Sequence, residues 1–186
     1  MTILGVDEVG RGCLAGPLVA GAVILNEPII GLKDSKKLSK IQRERLSAEI
    51  RLKAKALSMG WVESQELDKI GLTAAVGLAM QRAVNQIKIN YDELIIDGNY
   101  NFLKSDPKAY TIIKADDSVP AVSAASIIAK VARDNFMYEQ AKIYPAYHFD
   151  KHVGYGTSLH LEMLKLHGTC LLHRNSFQPI KNLGPT

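Results

Sequence analysis

The stretch Ile3-Leu4-Gly5-Val6-Asp7-Glu8-Val9-Gly10-Arg11-Gly12-Cys13-Leu14-Ala15-Gly16-Pro17-Leu18-Val19-Ala20-Gly21-Ala22-Val23-Ile24-Leu25 decides the reading of the fold. Residues 2–7 alternate weakly and end on a carboxylate, as a half-buried strand does. A Gly-rich turn follows from Gly10 to Gly16. Leu18 to Leu25 is then an apolar run with Val and Ile, the pattern of a buried strand. Two consecutive strands joined by a turn predict a hairpin.

Working outward, Ser39 with Gln42 three residues later forms a capping-box pattern and predicts a helix to about Lys55. Ala56 to Val62 reads as a third strand. Val76, Met80, Val84 and Ile87 fall at helical spacing, which predicts an amphipathic helix over about 73–88. Leu94-Ile95-Ile96 is a short apolar run stopped by the turn signal Asp97-Gly98-Asn99. Tyr110 to Lys114 reads as a strand ending at Asp116-Asp117. From Val122 to Tyr138 the chain is Ala-rich and free of Gly and Pro, so a helix is expected. Leu159, Met163 and Leu166 mark a last helix closed by Gly168. The order is β-β-β-α-β-α around a mixed sheet, with an early helix inserted. This is an α/β fold, a mixed β-sheet flanked by helices with a helical C-terminal region. The length of 186 residues fits a single domain spanning 1–186.

Composition narrows the classes. Hydrophobic residues are 47% and charged residues 23%, which excludes a bulk-disordered chain. No apolar run approaches ~18 residues, so a membrane span is not expected. The first residues lack a basic region followed by an apolar stretch, so no secretory signal is expected. Cys13 and Cys170 form no CxxC pair, which argues against a disulfide framework or a structural zinc. A reducing, cytoplasmic setting is the simplest expectation, and a monomer the default. The net charge is +4, but it is unevenly spread. Nine basic residues stand between Lys33 and Lys55 against Asp34, Glu44 and Glu49. Such a segment is either a solvated helix face or a phosphate-contacting surface.

Acidic groups recur where strands stop: Asp7-Glu8, Asp97, and Asp116 with Asp117. A single one reads as a turn-forming Asp. Three of them, on different strands of one sheet, can be brought together. Clustered carboxylates repel one another and need a cation to stay ionised. Oxygen-only donors favour Mg²⁺ or Mn²⁺ over zinc. Two such ions ~4 Å apart serve the attack of water on a phosphodiester, one activating the water and the other stabilising the leaving oxygen. The residues alone therefore point to metal-dependent phosphotransfer beside a basic surface.

Asp7-Glu8-Val9-Gly10-Arg11-Gly12 resembles the signature of the ribonuclease HII family, the type 2 ribonucleases H. Asp34-Ser35-Lys36-Lys37-Leu38-Ser39, Ile96-Asp97-Gly98 and Lys114-Ala115-Asp116 resemble further blocks of that family. So do Ser123 to Asp134 and His152-Val153-Gly154-Tyr155-Gly156-Thr157. Six blocks in one order over about 150 residues are far more specific than any of them alone. The resemblance implies a ribonuclease H-like fold. It implies endonucleolytic hydrolysis of RNA in RNA–DNA hybrids and incision of DNA at embedded ribonucleotides, leaving 3′-hydroxyl and 5′-phosphate ends. It places the catalytic, metal-holding carboxylates at Asp7, Glu8, Asp97 and Asp116. Asp117 is the rival to Asp116, disfavoured by its spacing from Lys114.

The same resemblance makes Gly10, Arg11 and Gly12 the segment that senses the 2′-hydroxyl, the group that separates RNA from DNA at one position. Tyr155 matches the family tyrosine that stacks on the sugar at the RNA–DNA junction. Residues from about 140 to 186 would be the helical, substrate-binding part. Lys36 and Lys37 are expected to meet phosphate. Ser123, Ser126, Lys130 and Arg133 or Asp134 recur at helical spacing as a polar stripe. Either Ser126 and Lys130 contact substrate, or the stripe is a satisfied network with a Lys130–Asp134 pair. His148, His152, His160, His167 and His173 share no ligand spacing, and surface or capping roles are expected for them. Three rivals remain: ribonuclease HIII, a silent nucleic-acid-binding module, and another two-metal nuclease such as a junction resolvase. The first catalytic block begins at residue 7, which leaves no room for the extra N-terminal domain that ribonuclease HIII usually carries. Four acids in one chain would weaken a mere phosphate binder, and the Gly-Arg-Gly and Tyr155 features favour a 2′-hydroxyl reader over a resolvase.

Overall fold

The computed structural model describes residues 1–183; residues 184–186, the end of the expected 1–186 domain, lie outside the described residues. Ile3–Val9 (β1) and Leu18–Leu25 (β2) form the expected antiparallel hairpin, with Val9 opposite Val19. Helix α1, Lys40–Lys53, begins at a complete capping box. Ser39 accepts from the Gln42 backbone N–H, and the Gln42 side chain accepts from the Ser39 N–H. Ala54–Val62 (β3) pairs antiparallel with β2. Ser64–Ile70 (α2) and Leu72–Asn85 (α3) follow, divided at Gly71, whose φ of +81° interrupts the helix. Glu93–Asp97 (β4) and Ala109–Ile112 (β5) are parallel to each other, and β4 is parallel to β1. The strand order β3-β2-β1-β4-β5 makes a mixed five-stranded sheet among the described residues.

Ala115–Ser118 (α4) and Pro120–Ile143 (α5) come next. Helix α5 exceeds the expected 122–138 at both ends. Pro120 is tolerated in the first turn, and the helix runs until Tyr144, which precedes Pro145 and leaves the helical region. Phe149–His152 (α6) and Ser158–His167 (α7) complete the C-terminal region, with Gly168 closing α7 as expected. Helix α2 was not foreseen. Its first residue follows Glu63, which makes no side-chain capping bond, so no start signal was there to read.

Two layers of helix cover the sheet. One face packs Leu4, Val6, Leu18, Ala20, Ala22, Ile24, Leu94 and Ile96 against α2 and α3. The other meets α1 and α5 through Val23, Leu46, Ile50, Ala124, Ile127 and Ile128. The alternation of side chains along a strand produces this division. Two glycines bring α5 directly onto the sheet. A Cβ at Gly5 would stand 2.2 Å from the Ala121 carbonyl carbon, and one at Gly21 would stand 2.4 Å from the Ala125 oxygen. Only a residue without a side chain allows that approach. It sets the polar stripe of α5 beside the ends of β1 and β4. No helix among the described residues is long and apolar enough to cross a membrane.

Candidate active site

Register brings the first carboxylates together. Val6 pairs with Ile96, so the next step along both parallel strands sets Asp7 beside Asp97. Asp7 is 6% exposed and its Oδ1 accepts the Glu8 backbone N–H at 2.8 Å. The Ser126 hydroxyl, on α5, favours the ionised form of the same carboxyl and so opposes the rise that burial brings. Ser126 in turn shares a 2.9 Å hydrogen bond with Ser35. Burial pushes the Asp7 carboxyl well above the usual range, and the charges of Glu8 and Asp97 push it further. Glu8 is raised by burial and held back by Arg11, whose Nη1 lies 3.1 Å from Glu8 Oε1.

The expected strand end at Asp116 is not what the chain builds. Strand β5 stops at Ile112, and Lys114 turns the backbone into the left-handed region at φ 59°. Asp116 therefore rides on the short helix α4. That turn presents the Ala115 N–H to Asp97 Oδ1 at 2.7 Å. Asp116 is buried, and burial with the neighbouring Asp97 charge raises its carboxyl to about 6. Asp117 points elsewhere. It is exposed and paired with Lys37 Nζ at 2.5 Å, which lowers its carboxyl.

A cleft of about 630 Å³ opens over this cluster. Asp7, Glu8, Asp97, Gly10, Arg11, Gly12, Lys36, Ser126, Lys130 and Tyr155 all line it, together with Ser35 and Arg43. Asp116 and Lys37 are absent from that lining: Asp116 lies beside Asp97 on α4, and Lys37, expected at phosphate, is engaged by Asp117. Lys130 serves both readings of the α5 stripe, since it faces the cleft and pairs with Asp134 at 2.9 Å. Its ammonium also lies 5.2 Å from the Tyr155 ring centre. Tyr155 is 37% exposed, and burial of its hydroxyl end raises the phenol to about 12. An open groove of about 720 Å³ along β3, lined by Trp61, Arg82 and Gln86 among others, is slightly larger. It holds no cluster of acids, and its Arg82 is already paired with Glu66.

Sequence reasoning missed what braces the cleft. Arg133 and Arg174 are both fully buried. Arg133 donates to the carbonyls of Pro17, Ala15 and Val153 at 2.8–2.9 Å. Arg174 donates to Gly10, Arg11 and Gly16 at 2.7–3.2 Å. Each guanidinium thus satisfies backbone oxygens of the 10–17 loop that no strand or helix could reach. Arg43 similarly holds the carbonyls of Ser35 and Leu38. The histidines also depart from expectation, since His152, His160 and His173 are buried rather than at the surface. Nothing in their spacing showed this, because they converge from α6, α7 and the segment after α7.

The donor set suits a hard divalent cation. Every candidate ligand is a carboxylate oxygen, and the groups acting on buried Asp7 are two carboxylates and two hydrogen-bond donors rather than a cation. Among the described residues no three ligating side chains are already closed into a cage. Glu8 is turned toward Arg11 and Asp97 toward the Ala115 N–H.

A family profile described as Ribonuclease HII matches residues 4–180. Ribonuclease HII of Idiomarina loihiensis is 47% identical over 184 residues, covering 97% of this chain and 97% of that one. The Delftia acidovorans enzyme of the same name is 46% identical over 183 residues, covering 97% of this chain and 77% of that one. The crystal structure of ribonuclease H2 from Pyrococcus horikoshii OT3 superposes with a TM-score of 0.83 at 27% identity, covering 98% and 97% of the two chains. The sheet, the acidic cleft and these likenesses agree, and the chain belongs to the ribonuclease HII family of metal-dependent endoribonucleases acting on RNA–DNA hybrids.

Proposed function

We propose that this enzyme incises duplex DNA at single embedded ribonucleotides as well as within RNA–DNA hybrids, leaving 3′-hydroxyl and 5′-phosphate ends. One observation carries the reading: the carboxylates of β1 and β4 line the same cleft as Gly10–Gly12 and Tyr155, and Asp116 on α4 lies near enough to Asp97 for that charge to raise it. Asp7, Glu8, Asp97 and Asp116 are assigned as the catalytic, metal-holding residues. Mg²⁺ or Mn²⁺ bound there would supply charge neutralisation and activation of the attacking water.

The chain's own residues do the rest. The Glu8 N–H fixes the Asp7 carboxylate, and Ser126, held by Ser35, favours its ionised form. Arg11, 3.1 Å from Glu8, holds that side chain in the cleft lining, where it would be one of the residues holding a bound cation. The backbone of Gly10–Gly12, held by Arg174, offers N–H groups at a spot where a bulkier segment could not approach a sugar. Lys36 and Lys130 face the cleft with positive charge for phosphate. The exposed face of Tyr155 is free to stack on the sugar beyond the ribonucleotide. The C-terminal part, from about residue 140, contributes Tyr155 and the brace of Arg174 and so belongs to substrate binding. The enzyme is assigned as a monomer.

The test uses three duplexes: DNA with one ribonucleotide, an RNA–DNA hybrid, and all-DNA. Metal-dependent cutting of the first two, with mapped product ends and an intact all-DNA control, is expected. Tyr155→Ala should lower cutting of the single-ribonucleotide duplex more than that of the hybrid. Equal cutting of all three duplexes would replace the reading with a general nuclease.

A further inference from the structure

Three buried histidines gather round Phe149, with ring centres 5.7–5.8 Å from it. His152 stacks on His160 at 4.3 Å and 15°. All six ring nitrogens have partners, and the partners decide where each proton sits. His160 Nδ1 faces the Tyr155 carbonyl at 2.9 Å. A carbonyl only accepts, so Nδ1 carries the hydrogen and Nε2 of the neutral ring is an acceptor. His173 Nδ1 accepts the Cys170 backbone N–H at 2.8 Å, which places its own hydrogen on Nε2. That hydrogen points at His160 Nε2, 3.1 Å away. The result is a one-way chain from the Cys170 N–H through His173 and His160 to the Tyr155 carbonyl.

His152 holds the other side of the same loop. Its Nε2 faces the Tyr147 carbonyl at 2.9 Å, and its Nδ1 accepts the Gly154 N–H at 3.2 Å. The His152 carbonyl accepts the Tyr155 N–H at 2.9 Å. A charged ring has no place in this arrangement. A proton on His160 Nε2 would face the His173 N–H, and one on His173 Nδ1 would face the Cys170 N–H. Burial accordingly pushes both imidazoles down to about 4. Every ring nitrogen of the trio is already engaged by a hydrogen-bond partner, so none is left to ligate a cation.

We propose that His160 and His173 are positioning residues for substrate selection: the tautomer-locked pair fixes the Tyr155 carbonyl and so aims the Tyr155 ring into the cleft. This rests on the assignment of Tyr155 as the junction-stacking residue. A backbone carbonyl held by a side chain from α7 limits rotation of the Tyr155 peptide plane and steadies the direction of its Cα–Cβ bond, while Lys130 and Arg133, 5.2 and 5.9 Å from the ring centre, lie over the ring itself. Thr157 adds its N–H to the same carbonyl at 2.9 Å, but it belongs to the loop itself and moves with it. His152 and Arg133 anchor the loop at Tyr147 and Val153, and Cys13 bridges to Tyr155, but the imidazole chain is what ties the Tyr155 carbonyl itself to α7 and the segment after it.

The experiment compares kcat and KM on the single-ribonucleotide duplex and on the hybrid for wild type, His160→Phe, His160→Asn, Tyr155→Ala and His160→Phe/Tyr155→Ala. His160→Phe keeps the stack and loses the hydrogen bond; the asparagine amide can restore an N–H near the Nδ1 position. His160→Phe should lower the preference for the single ribonucleotide about tenfold, the scale of one lost buried hydrogen bond, and mainly through KM. His160→Asn should recover most of it, and the double variant should be no worse than Tyr155→Ala alone. Equal loss on both substrates, or no recovery with asparagine, overturns the proposal. An unchanged preference in His160→Phe, alongside a reduced one in Tyr155→Ala, overturns the relay and spares the Tyr155 assignment. An unchanged preference in Tyr155→Ala overturns both. Imidazole ¹⁵N shifts of the wild-type protein at pH 7 check the lock without any substitution. They should show Nδ1–H for His160 and Nε2–H for His173, and the opposite tautomers would refute it.

Discussion

Asp116→Asn should make the metal-free protein more stable while abolishing its activity. Asp116 is 6% exposed, and its side chain sits near the charges of Asp97 and Asp34, with Lys36 opposing them. Its carboxyl is raised from 3.8 to about 6 in the folded protein. An acid whose folded value lies above its unfolded value favours folding only when protonated. Below about pH 4 it costs nothing, since both states hold the proton. As pH rises through about 6 the folded protein must ionise it in its buried position beside Asp97, and the penalty reaches about 3 kcal/mol. Asparagine cannot ionise, so it removes that penalty. For a chain of this length ~3 kcal/mol corresponds to roughly 6–12 °C in Tm. The assay is scanning calorimetry in chelator from pH 4 to pH 8. The two proteins should unfold together near pH 4 and diverge as pH rises, the variant being higher at pH 7.5. Saturating Mg²⁺ or Mn²⁺ should close the gap by stabilising the wild type, by about 2.7 kcal/mol at a hundred times Kd. A variant less stable than wild type at pH 7.5 without metal, or a difference independent of pH, would refute the reasoning.

Three further outcomes are expected. Asp97→Asn should reduce turnover by orders of magnitude with little change in duplex affinity, read by product formation and by fluorescence anisotropy; parallel loss of binding would remove its catalytic role. Arg174→Met strips hydrogen bonds from the buried carbonyls of Gly10, Arg11 and Gly16. It should cost about 3–5 kcal/mol in urea unfolding and erode discrimination against all-DNA duplex. Lys36→Ala should weaken binding to every duplex alike and lower the slope of log K against log salt by about 0.9, whereas an unchanged slope would mean that Lys36 meets no phosphate.

The hairpin, the capping box before α1, the α3 periodicity and the ends of β1 and β4 were legible because each is written in local spacing. So was the meeting of Asp7 with Asp97, since they end neighbouring parallel strands. Asp116 shows where local reading stops. Its place depends on Lys114 adopting a left-handed backbone that no lysine advertises. The extent of α5 was understated because proline at a helix start reads like a break. Lys37 looked like a phosphate ligand because sequence gives charge but not partner, and Asp117 is 80 residues away. The buried arginines and histidines were illegible for the same reason: their hydrogen bonds join chain segments that only the finished fold brings together.

That long reach of Arg174 has a consequence for how the molecule matures. The carboxylates of β1 and β4 need only the first 97 residues to come side by side. Arg133 can hold the loop at Ala15 and Pro17 earlier, but its Gly10–Gly12 end lacks a brace until residue 174 has been made and buried, a separation of 164 positions from Gly10. A nascent or truncated chain could thus assemble part of its cutting chemistry before it can tell which strand to cut. If Gly10–Gly12 read the 2′-hydroxyl as proposed, placing their brace far downstream delays discrimination to the last stage of folding. Fragments ending before residue 174 should therefore be poor at telling ribonucleotide from deoxyribonucleotide, whatever sheet they manage to form.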